Sequence, residues 1–285
     1  MYLDGKKCAE SKIEDIRERV SKLNKKPSLA IIMISEDKAS KTYVNNKVKR
    51  CMEVGITPRL IDLPETVEQF VVEGVIKELN EDSEITGIIL QLPIPDHLDA
   101  SYLGNLINYK KDVDGFTTIN TGLLSVGRPC LVPCTPKGII ELLDFYNIDI
   151  ESKDVLIINR SDIVGKPLAQ LFLQRNATVT VAHSKTKDLR KHIKHADIIV
   201  TAVGIPNFFS FRDFTQGSTI VDVSINFVNG KMCGDVTKYS YGYLDAVDCN
   251  ITPVPGGVGQ MTVIALLENI LQIAKSEEEY NYECK

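Results

Sequence analysis

A polar turn that could bind a nucleotide lies in the second half of the chain. Residues 155–158 form a short apolar run, residues 159–164 are mostly polar, and Gly165 opens a segment with the pattern of a helix. In such a setting, backbone N–H groups at the start of the helix bind a pyrophosphate. Because the usual glycine-rich fingerprint is absent, an ordinary connection between a strand and a helix remains an open alternative.

The end of the next predicted strand indicates which dinucleotide this turn would bind. In NAD sites that strand ends on an Asp or Glu that accepts a hydrogen bond from the ribose 2′-hydroxyl. Here residues 178–182 are followed by His183, Ser184 and Lys185, so no acid stands at the tip. Hydroxyl and cationic side chains favour a 2′-phosphate, and Arg160 could form a bidentate pair with it. We therefore predict NADP rather than NAD.

A tyrosine, a lysine and a glutamine form a second group of candidates in the first half of the chain. Tyr43 and Lys47 are four residues apart in a predicted helix and should share one face, although such a pair is commonly a surface feature. Gln91 interrupts the apolar run of residues 88–92 near the carboxyl end of a predicted strand, where open α/β sheets bind ligands. An amide on an exposed edge is the alternative for Gln91.

Two loops complete the set of candidates. Residues 111–116 place Asp112 and Asp114 in a turn, for which a solvated charged loop is the ordinary interpretation. Residues 255–259 contain three glycines, which permit a backbone to approach a ligand closely but also suit a sharp turn.

The elements that must position these residues alternate between helix and strand. Helices are predicted over residues 6–24, 40–54, 66–80, 135–146, 164–175, 187–195 and 261–274, with Thr135 as the cap of the fourth. Strands are predicted over residues 29–34, 59–63, 87–92, 155–158, 178–182, 198–203 and 219–223. This alternation predicts parallel sheets with right-handed crossovers in two α/β domains, the second a Rossmann-type nucleotide-binding domain.

Composition excludes several other classes of protein. The chain of 285 residues carries 33 Lys and Arg against 38 Asp and Glu, so its net charge of −5 argues against a nucleic-acid binder. A hydrophobic content of 44% excludes intrinsic disorder. No apolar run approaches the roughly 20 residues of a membrane span, and no signal-type segment opens the chain, so we expect a cytoplasmic protein. Seven cysteines without a CxxC pair predict free thiols and no metal site.

Taken together, the segments resemble one family, the bifunctional methylenetetrahydrofolate dehydrogenase/methenyltetrahydrofolate cyclohydrolases. The resemblance runs in the family's order from about residue 2 to 272. The matching segments are residues 39–47, 87–95, 111–115, 133–138, 160–165, 176–180 and 252–259.

The resemblance implies a fold, a reaction and a set of site residues. The implied architecture is a folate-binding catalytic domain (1–140 with 260–285) and an NADP-binding domain (141–259), with an active-site cleft between them, in a homodimer. Folate contacts are implied for Tyr43, Lys47, Leu90, Gln91, Leu92, Asp114, Pro255, Gly256, Gly257, Val258 and Gly259. NADP contacts are implied for Asn159, Arg160, Ser161, Gly165, Ser184 and Ile225.

The implied chemistry suits these side chains. Oxidising the methylene bridge of the folate is a hydride transfer, which chiefly needs two rings held face to face. Water then opens the methenyl cation, and a partly buried lysine can move the proton that this step requires. Our hypothesis is that Lys47 supports hydrolysis, that Tyr43 and Gln91 set its position, and that Asp114 anchors the substrate for both steps.

Three residues depart from the family pattern. Asn159 and Ser224 stand where the family usually has glycine, and Gln260 stands where it usually has proline. We expect these residues to affect affinity and cofactor preference rather than the type of reaction. Alternative interpretations are a dehydrogenase-only relative that uses NAD, a non-catalytic folate- or nucleotide-binding protein, and an unrelated Rossmann-type dehydrogenase acting on shikimate or an amino acid.

Overall fold

Every helix and strand that the sequence predicts is present in the predicted order, together with shorter elements that the sequence does not predict. The computed structural model describes residues 1–36 and 38–283. The α-helices are Gly5–Ser21 (α1), Lys38–Val54 (α2), Gln69–Glu81 (α3), Ala100–Leu106 (α4), Thr118–Ser125 (α5), Cys134–Phe145 (α6), Gly165–Gln174 (α7), Leu189–Lys194 (α8), Tyr241–Ala246 (α9) and Val258–Glu283 (α10). The strands are Ser28–Met33 (β1), Thr57–Asp62 (β2), Gly87–Leu90 (β3), Asp154–Ile158 (β4), Thr178–Ala182 (β5), Ile198–Thr201 (β6), Thr219–Asp222 (β7), Asn226–Val228 (β8), Lys231–Cys233 (β9) and Asn250–Ile251 (β10).

The chain divides into two units, each assembled from two separated stretches. Unit 1 comprises Met1–Glu10 and Thr135–Thr262, and unit 2 comprises Ser11–Cys134 and the residues from Val263 onward. The functional division expected from the sequence, with boundaries after residues 140 and 259, stays a prediction.

Unit 2 contains a three-stranded parallel sheet in the order β2-β1-β3. The central strand β1 is buried on both faces because residues 29–33 are all apolar. One face packs against α3 and α4, where Ile32 and Ile88 join Val72, Ile76 and Leu103 in a buried cluster. Burial of each such aliphatic side chain contributes about 1.5–3 kcal/mol to the stability of the fold, so this cluster holds the sheet against α3 and α4.

Unit 1 contains a five-stranded parallel sheet in the order β10-β7-β6-β4-β5. Because β4 pairs with β5 on one side and with β6 on the other, the order of strands reverses at β4. In such doubly wound sheets, ligands bind in the crevice beyond the carboxyl ends of the strands at this reversal. The predicted fold class, α/β with a Rossmann-type second domain, is confirmed.

Element ends differ from the sequence prediction at three places that bear on the site. Strand β3 ends at Leu90, so Gln91 lies just past the strand, and α10 begins at Val258 rather than at residue 261. Helix α6 begins at Cys134, so Thr135 lies within its first turn instead of capping it. The Thr135 hydroxyl instead contacts the hydroxyl of Thr262 at 3.2 Å.

Candidate active site

Lys47 lies on α2 and is buried, with only 5% of its surface exposed. Its Nζ donates a hydrogen bond to Oε1 of Gln91 at 3.0 Å and stands 4.9 Å from the centre of the Tyr43 ring. The four-residue spacing therefore brings the tyrosine and the lysine together, as expected for a helix. The alternative of a solvated surface pair is wrong for Lys47, because the residue is buried. A buried ammonium needs polar or aromatic partners of the kind that Gln91 and Tyr43 provide.

Gln91 is held in one orientation by the strand that precedes it. Its backbone N–H donates to the carbonyl of Ile32 at 2.9 Å, which continues the ladder between β3 and β1 for one residue. Its side-chain Nε2 donates to the carbonyl of Leu92 at 2.7 Å, so Oε1 is the atom turned toward Lys47. Leu90 is also buried at this edge. The geometry excludes an exposed edge amide.

The two acids of the loop after residue 110 have different environments. Asp112 is buried and accepts hydrogen bonds from the backbone N–H groups of Phe116 and Thr117 and from Nδ2 of Asn120, so it builds the turn. Asp114 is half-buried, and the Sγ of Cys134 lies 3.6 Å from its Oδ1. Asp112 thus shapes the loop that presents Asp114.

Burial raises the pKa of Asp114, while the nearby Lys47 ammonium partly opposes this shift and the Asp112 carboxylate adds to it. The ammonium therefore acts on Asp114 as well as on Gln91. Within unit 2 the structure brings together Tyr43, Lys47, Gln91 and Asp114, four residues from three separate segments of the sequence.

The glycine-rich loop of residues 255–259 belongs to unit 1. A Cβ on Gly257 would lie 2.6 Å from the carbonyl oxygen of Pro253, so the close approach of two backbones requires glycine there. Val258 and Gly259 form the start of α10 rather than part of the loop. A Cβ on Gly259 would lie 3.5 Å from Cδ1 of Ile225, so the predicted folate loop and one predicted NADP contact are neighbours.

The turn after β4 is organised by the side chain of Asn159. Its Oδ1 accepts hydrogen bonds from the N–H and hydroxyl of Ser161, at 2.8 and 2.7 Å, and from the N–H of Gly165 at 3.1 Å. Its Nδ2 donates to the carbonyl of Ala202, just past β6, at 2.7 Å. Asn159 therefore folds back into the turn and links the ends of the two strands that flank the reversal of strand order.

The strand register places the other predicted cofactor residues at the same edge. Ile158 pairs with Ala182 on one side and with Thr201 on the other. Two residues further along, β4 and β5 reach Arg160 and Ser184, which are both exposed. Within the described residues, Arg160, Lys185 and Lys187 have no carboxylate partner. Positive charge at this edge is thus available to an anionic ligand.

The sequence did not single out two buried carboxylates of unit 1, those of Asp222 and Asp235. Asp222, at the end of β7, accepts hydrogen bonds from the N–H groups of Asp235 at 3.0 Å and Val236 at 2.8 Å. Burial raises the pKa of Asp222 to about 7, and Asp235 adds to the shift, whereas the two N–H groups oppose it. A Cβ on Gly234 would overlap the Asp222 carboxylate, so a glycine is required at this approach.

The cysteines are free thiols at the six positions that the structure describes, as predicted, and Cys284 lies outside the described residues. Burial raises the pKa of the Cys51 thiol to about 12, with Lys47 opposing the shift. In residues 1–36 and 38–283 there is no group of three or more His, Cys, Asp or Glu side chains that could hold a metal ion. Over the same residues, every helix is too short or too polar to cross a membrane.

Two family models match the chain. The model described as tetrahydrofolate dehydrogenase/cyclohydrolase, catalytic domain, matches residues 3–114, and the NAD(P)-binding domain of the same family matches residues 133–278. A bifunctional protein FolD from Acholeplasma laidlawii is 49% identical over 278 residues, covering 98% of this chain and 99% of the relative.

Solved structures give the same result. The bifunctional FolD methylenetetrahydrofolate dehydrogenase/cyclohydrolase of Campylobacter jejuni is 40% identical, with a TM-score of 0.94, over 97% of this chain and 99% of the other. The Trypanosoma brucei FolD, solved with NADP and an inhibitor, is 32% identical with a TM-score of 0.90, over 97% and 98% of the two chains. The predicted resemblance is confirmed: this chain belongs to the tetrahydrofolate dehydrogenase/cyclohydrolase family, with a catalytic domain and an NAD(P)-binding domain.

Proposed function

We propose that the chain oxidises 5,10-methylenetetrahydrofolate to 5,10-methenyltetrahydrofolate with NADP and then hydrolyses the product to 10-formyltetrahydrofolate. The observation that carries this proposal is the buried Lys47 amine, hydrogen-bonded to Gln91 and electrostatically coupled to Asp114. A family member limited to hydride transfer would have no need for a buried amine with an oriented amide partner. The second activity is therefore the one that these residues support most directly.

The hydrolytic step consumes water and releases a proton. Water attacks the methenyl carbon, one of the two C–N bonds opens, and a group must take a proton from the water and return one to the departing nitrogen. Lys47 is suited to this transfer because Gln91 fixes the direction of its Nζ, and the Leu92 carbonyl in turn fixes Gln91. The Tyr43 ring covers the amine from one side and offers a flat surface for an aromatic substrate.

Asp114 is the proposed anchor for the pterin ring. Its carboxyl is half-buried at the end of a loop that Asp112 holds rigid, so it offers a fixed hydrogen-bonding group. Its raised pKa follows from burial. The loop of residues 255–257 and the start of α10, Val258 and Gly259, provide further folate contacts in this proposal, as do Leu90 and Leu92.

The residues at the carboxyl edge of the unit 1 sheet fit NADP. When bound, the cofactor supplies the hydride acceptor. Arg160 and Ser184 offer a cation and a hydroxyl to a 2′-phosphate, and Asn159, Ser161 and Gly165 form the turn at the start of α7. In this proposal Ile225, whose Cδ1 is close to Gly259, also contacts the cofactor.

One assay tests the two activities together. Purified protein receives methylenetetrahydrofolate with NADP or NAD, and reduced cofactor and methenyl absorbance are followed in parallel; hydrolysis is also measured directly from methenyltetrahydrofolate. Lys47→Met should abolish hydrolysis and leave part of the hydride transfer. Lys49→Met is the matched control, since Lys49 is an exposed lysine on the same helix.

The outcomes separate the alternatives. Intact hydrolysis in Lys47→Met would refute the role of Lys47. Reduction of cofactor without any hydrolysis in the wild-type chain would identify a dehydrogenase-only relative, and the absence of both activities a binding protein. Equal or better use of NAD would refute the NADP preference.

The assembly and location of the chain belong to the same proposal. We expect a homodimer, which light scattering coupled to gel filtration tests directly. The hairpin of β8 and β9 exposes Phe227 and Val228, and exposed apolar side chains of this kind are common where protein surfaces meet. A cytoplasmic location agrees with the free thiols of the described cysteines.

A further inference from the structure

Asp235 is the centre of a hydrogen-bond network in unit 1 that no predicted contact residue accounts for. It is completely buried, yet its carboxylate accepts five hydrogen bonds. Oδ2 accepts from the Thr201 hydroxyl, the Val203 N–H and the Ser224 hydroxyl, each at 2.8 Å. Oδ1 accepts from the Ile205 N–H at 3.1 Å and from Nδ2 of Asn226 at 3.3 Å. A buried carboxylate that accepts this many hydrogen bonds holds the chain segments that carry the donors in one arrangement.

The donors come from two loops at the edge of the sheet where ligands bind. Thr201, Val203 and Ile205 belong to the end of β6 and the segment that follows it, whereas Ser224 and Asn226 follow β7. The first loop starts beside β4, at the reversal of strand order. The second carries residue 225, the isoleucine that neighbours Gly259.

Ser224 joins the two loops directly. Its hydroxyl donates to Asp235 and accepts from the N–H of Gly204 at 3.0 Å. The serine is 9% exposed, so both bonds are shielded from water. A glycine, the residue usual at this position in the family that the sequence resembles, would leave the Gly204 N–H and one Asp235 lone pair without this partner.

We infer that Ser224 and Asp235 are positioning residues that hold the loops after β6 and β7 in the arrangement that receives the cofactor. The inference rests on the proposed function. Neither side chain needs to touch the cofactor, because each acts through the backbone of residues 203–205 and through the placement of residue 225. The hydroxyl that replaces a glycine hydrogen in this chain thus adds a link between the two loops.

The test compares Ser224→Ala with Ser218→Ala in the full chain. Ser218 is a buried serine at the opposite, amino end of β7, where its hydroxyl donates to the carbonyl of Thr215 at 2.7 Å. NADPH binding is measured by isothermal titration calorimetry, together with KM for NADP in the dehydrogenase assay and thermal unfolding of each variant. Ser224→Ala removes both hydrogen bonds of this hydroxyl, and the loss of even one net hydrogen bond corresponds to about a fivefold change in affinity. We expect Ser224→Ala to raise both the NADPH Kd and the KM about fivefold, and Asp235→Asn to raise them further.

Ser218→Ala should leave the NADPH Kd within about twofold of the wild-type value, even if it lowers the unfolding temperature as much as Ser224→Ala does. Equal changes in Kd for the two serine variants, or no change in Ser224→Ala, would overturn the inference. Ser224→Cys, which keeps the size of the side chain but donates weakly, gives the same test if Ser224→Ala does not fold. A wild-type chain that does not bind NADPH would instead overturn the proposed function, and the inference with it.

Discussion

Replacing Asp222 with Asn should make the stability of the chain less dependent on pH. The carboxyl is buried at the end of β7, and its pKa in the folded chain is raised from an ordinary value of 3.8 to about 7, chiefly by burial. Folding therefore favours the protonated form. The resulting contribution to stability is fully present below pH 3.8 and is lost as the pH rises through 7.

The size of the effect follows from the shift. Each pKa unit corresponds to about 1.4 kcal/mol, so a shift of about three units gives about 4 kcal/mol over the complete titration. Between pH 5 and pH 8 the wild-type chain should lose about 2.5 kcal/mol from this one group. Asn cannot ionise but keeps an acceptor oxygen for one of the two N–H groups that Asp222 binds.

Urea unfolding followed by far-ultraviolet circular dichroism at pH 5, 6, 7 and 8 measures the effect. The free energy of unfolding of Asp222→Asn relative to wild type should increase steadily with pH. Asp248→Asn is the control, since Asp248 is exposed and has φ 57°, a left-handed conformation that Asn also tolerates. Parallel stability curves for wild type and Asp222→Asn would refute the assignment of a raised pKa to this carboxyl.

Three further predictions concern packing and charge. Gly165→Ala should lower the free energy of unfolding by about 2 kcal/mol or more, because a Cβ would clash with a backbone carbonyl of the preceding turn. Gly242→Ala is the control, since there is open space at its Cβ, and it should change the free energy of unfolding by less than about 1 kcal/mol. Equal free energies of unfolding for the two variants in urea would contradict this prediction. Asn269→Ala should lower the free energy of unfolding by about 2 kcal/mol or more, because the buried Nδ2 of Asn269 donates to two backbone carbonyls at 2.8 Å. Replacing the exposed Gln272 with Ala is the control and should lower the free energy of unfolding far less. An Asn269→Ala variant as stable as this control would argue against the two hydrogen bonds. Arg160→Ala should raise the KM for NADP more than that for NAD, and equal effects on the two cofactors would remove Arg160 from 2′-phosphate recognition.

The long elements could be predicted because their apolar patterns reflect burial on the faces that the structure shows. Strand β5 begins and ends at the predicted residues. Strand β1 begins and ends one residue earlier than predicted, and β4 begins one residue earlier. Helices α4 and α5 were not predicted, since seven or eight residues give too few turns for a periodic pattern. The hairpin of β8 and β9 had a usable signal: Asn229 and Gly230 both adopt positive φ, and an Asn-Gly pair is typical of such turns.

The candidate site shows the same limit. Lys47 and Gln91 could be singled out as candidates because Lys47 flanks the apolar stripe of its helix and Gln91 interrupts an apolar run. Asp235 could not, because its importance comes from five donors that are distant in sequence and meet only in the folded unit. Asn159 was expected to affect the cofactor site, but its four hydrogen bonds within and beside the turn depend on side-chain orientation, which sequence does not give.

The close approach of Gly234 to the Asp222 carboxylate limits how this sequence can evolve. Any side chain at 234 would occupy the space of that carboxylate, so alanine there is compatible only with a shorter residue at 222. A shorter residue, however, would release the N–H groups of Asp235 and Val236. A single substitution at either position is therefore costly, and descendants of this chain should keep the glycine and the aspartate together or exchange both at once.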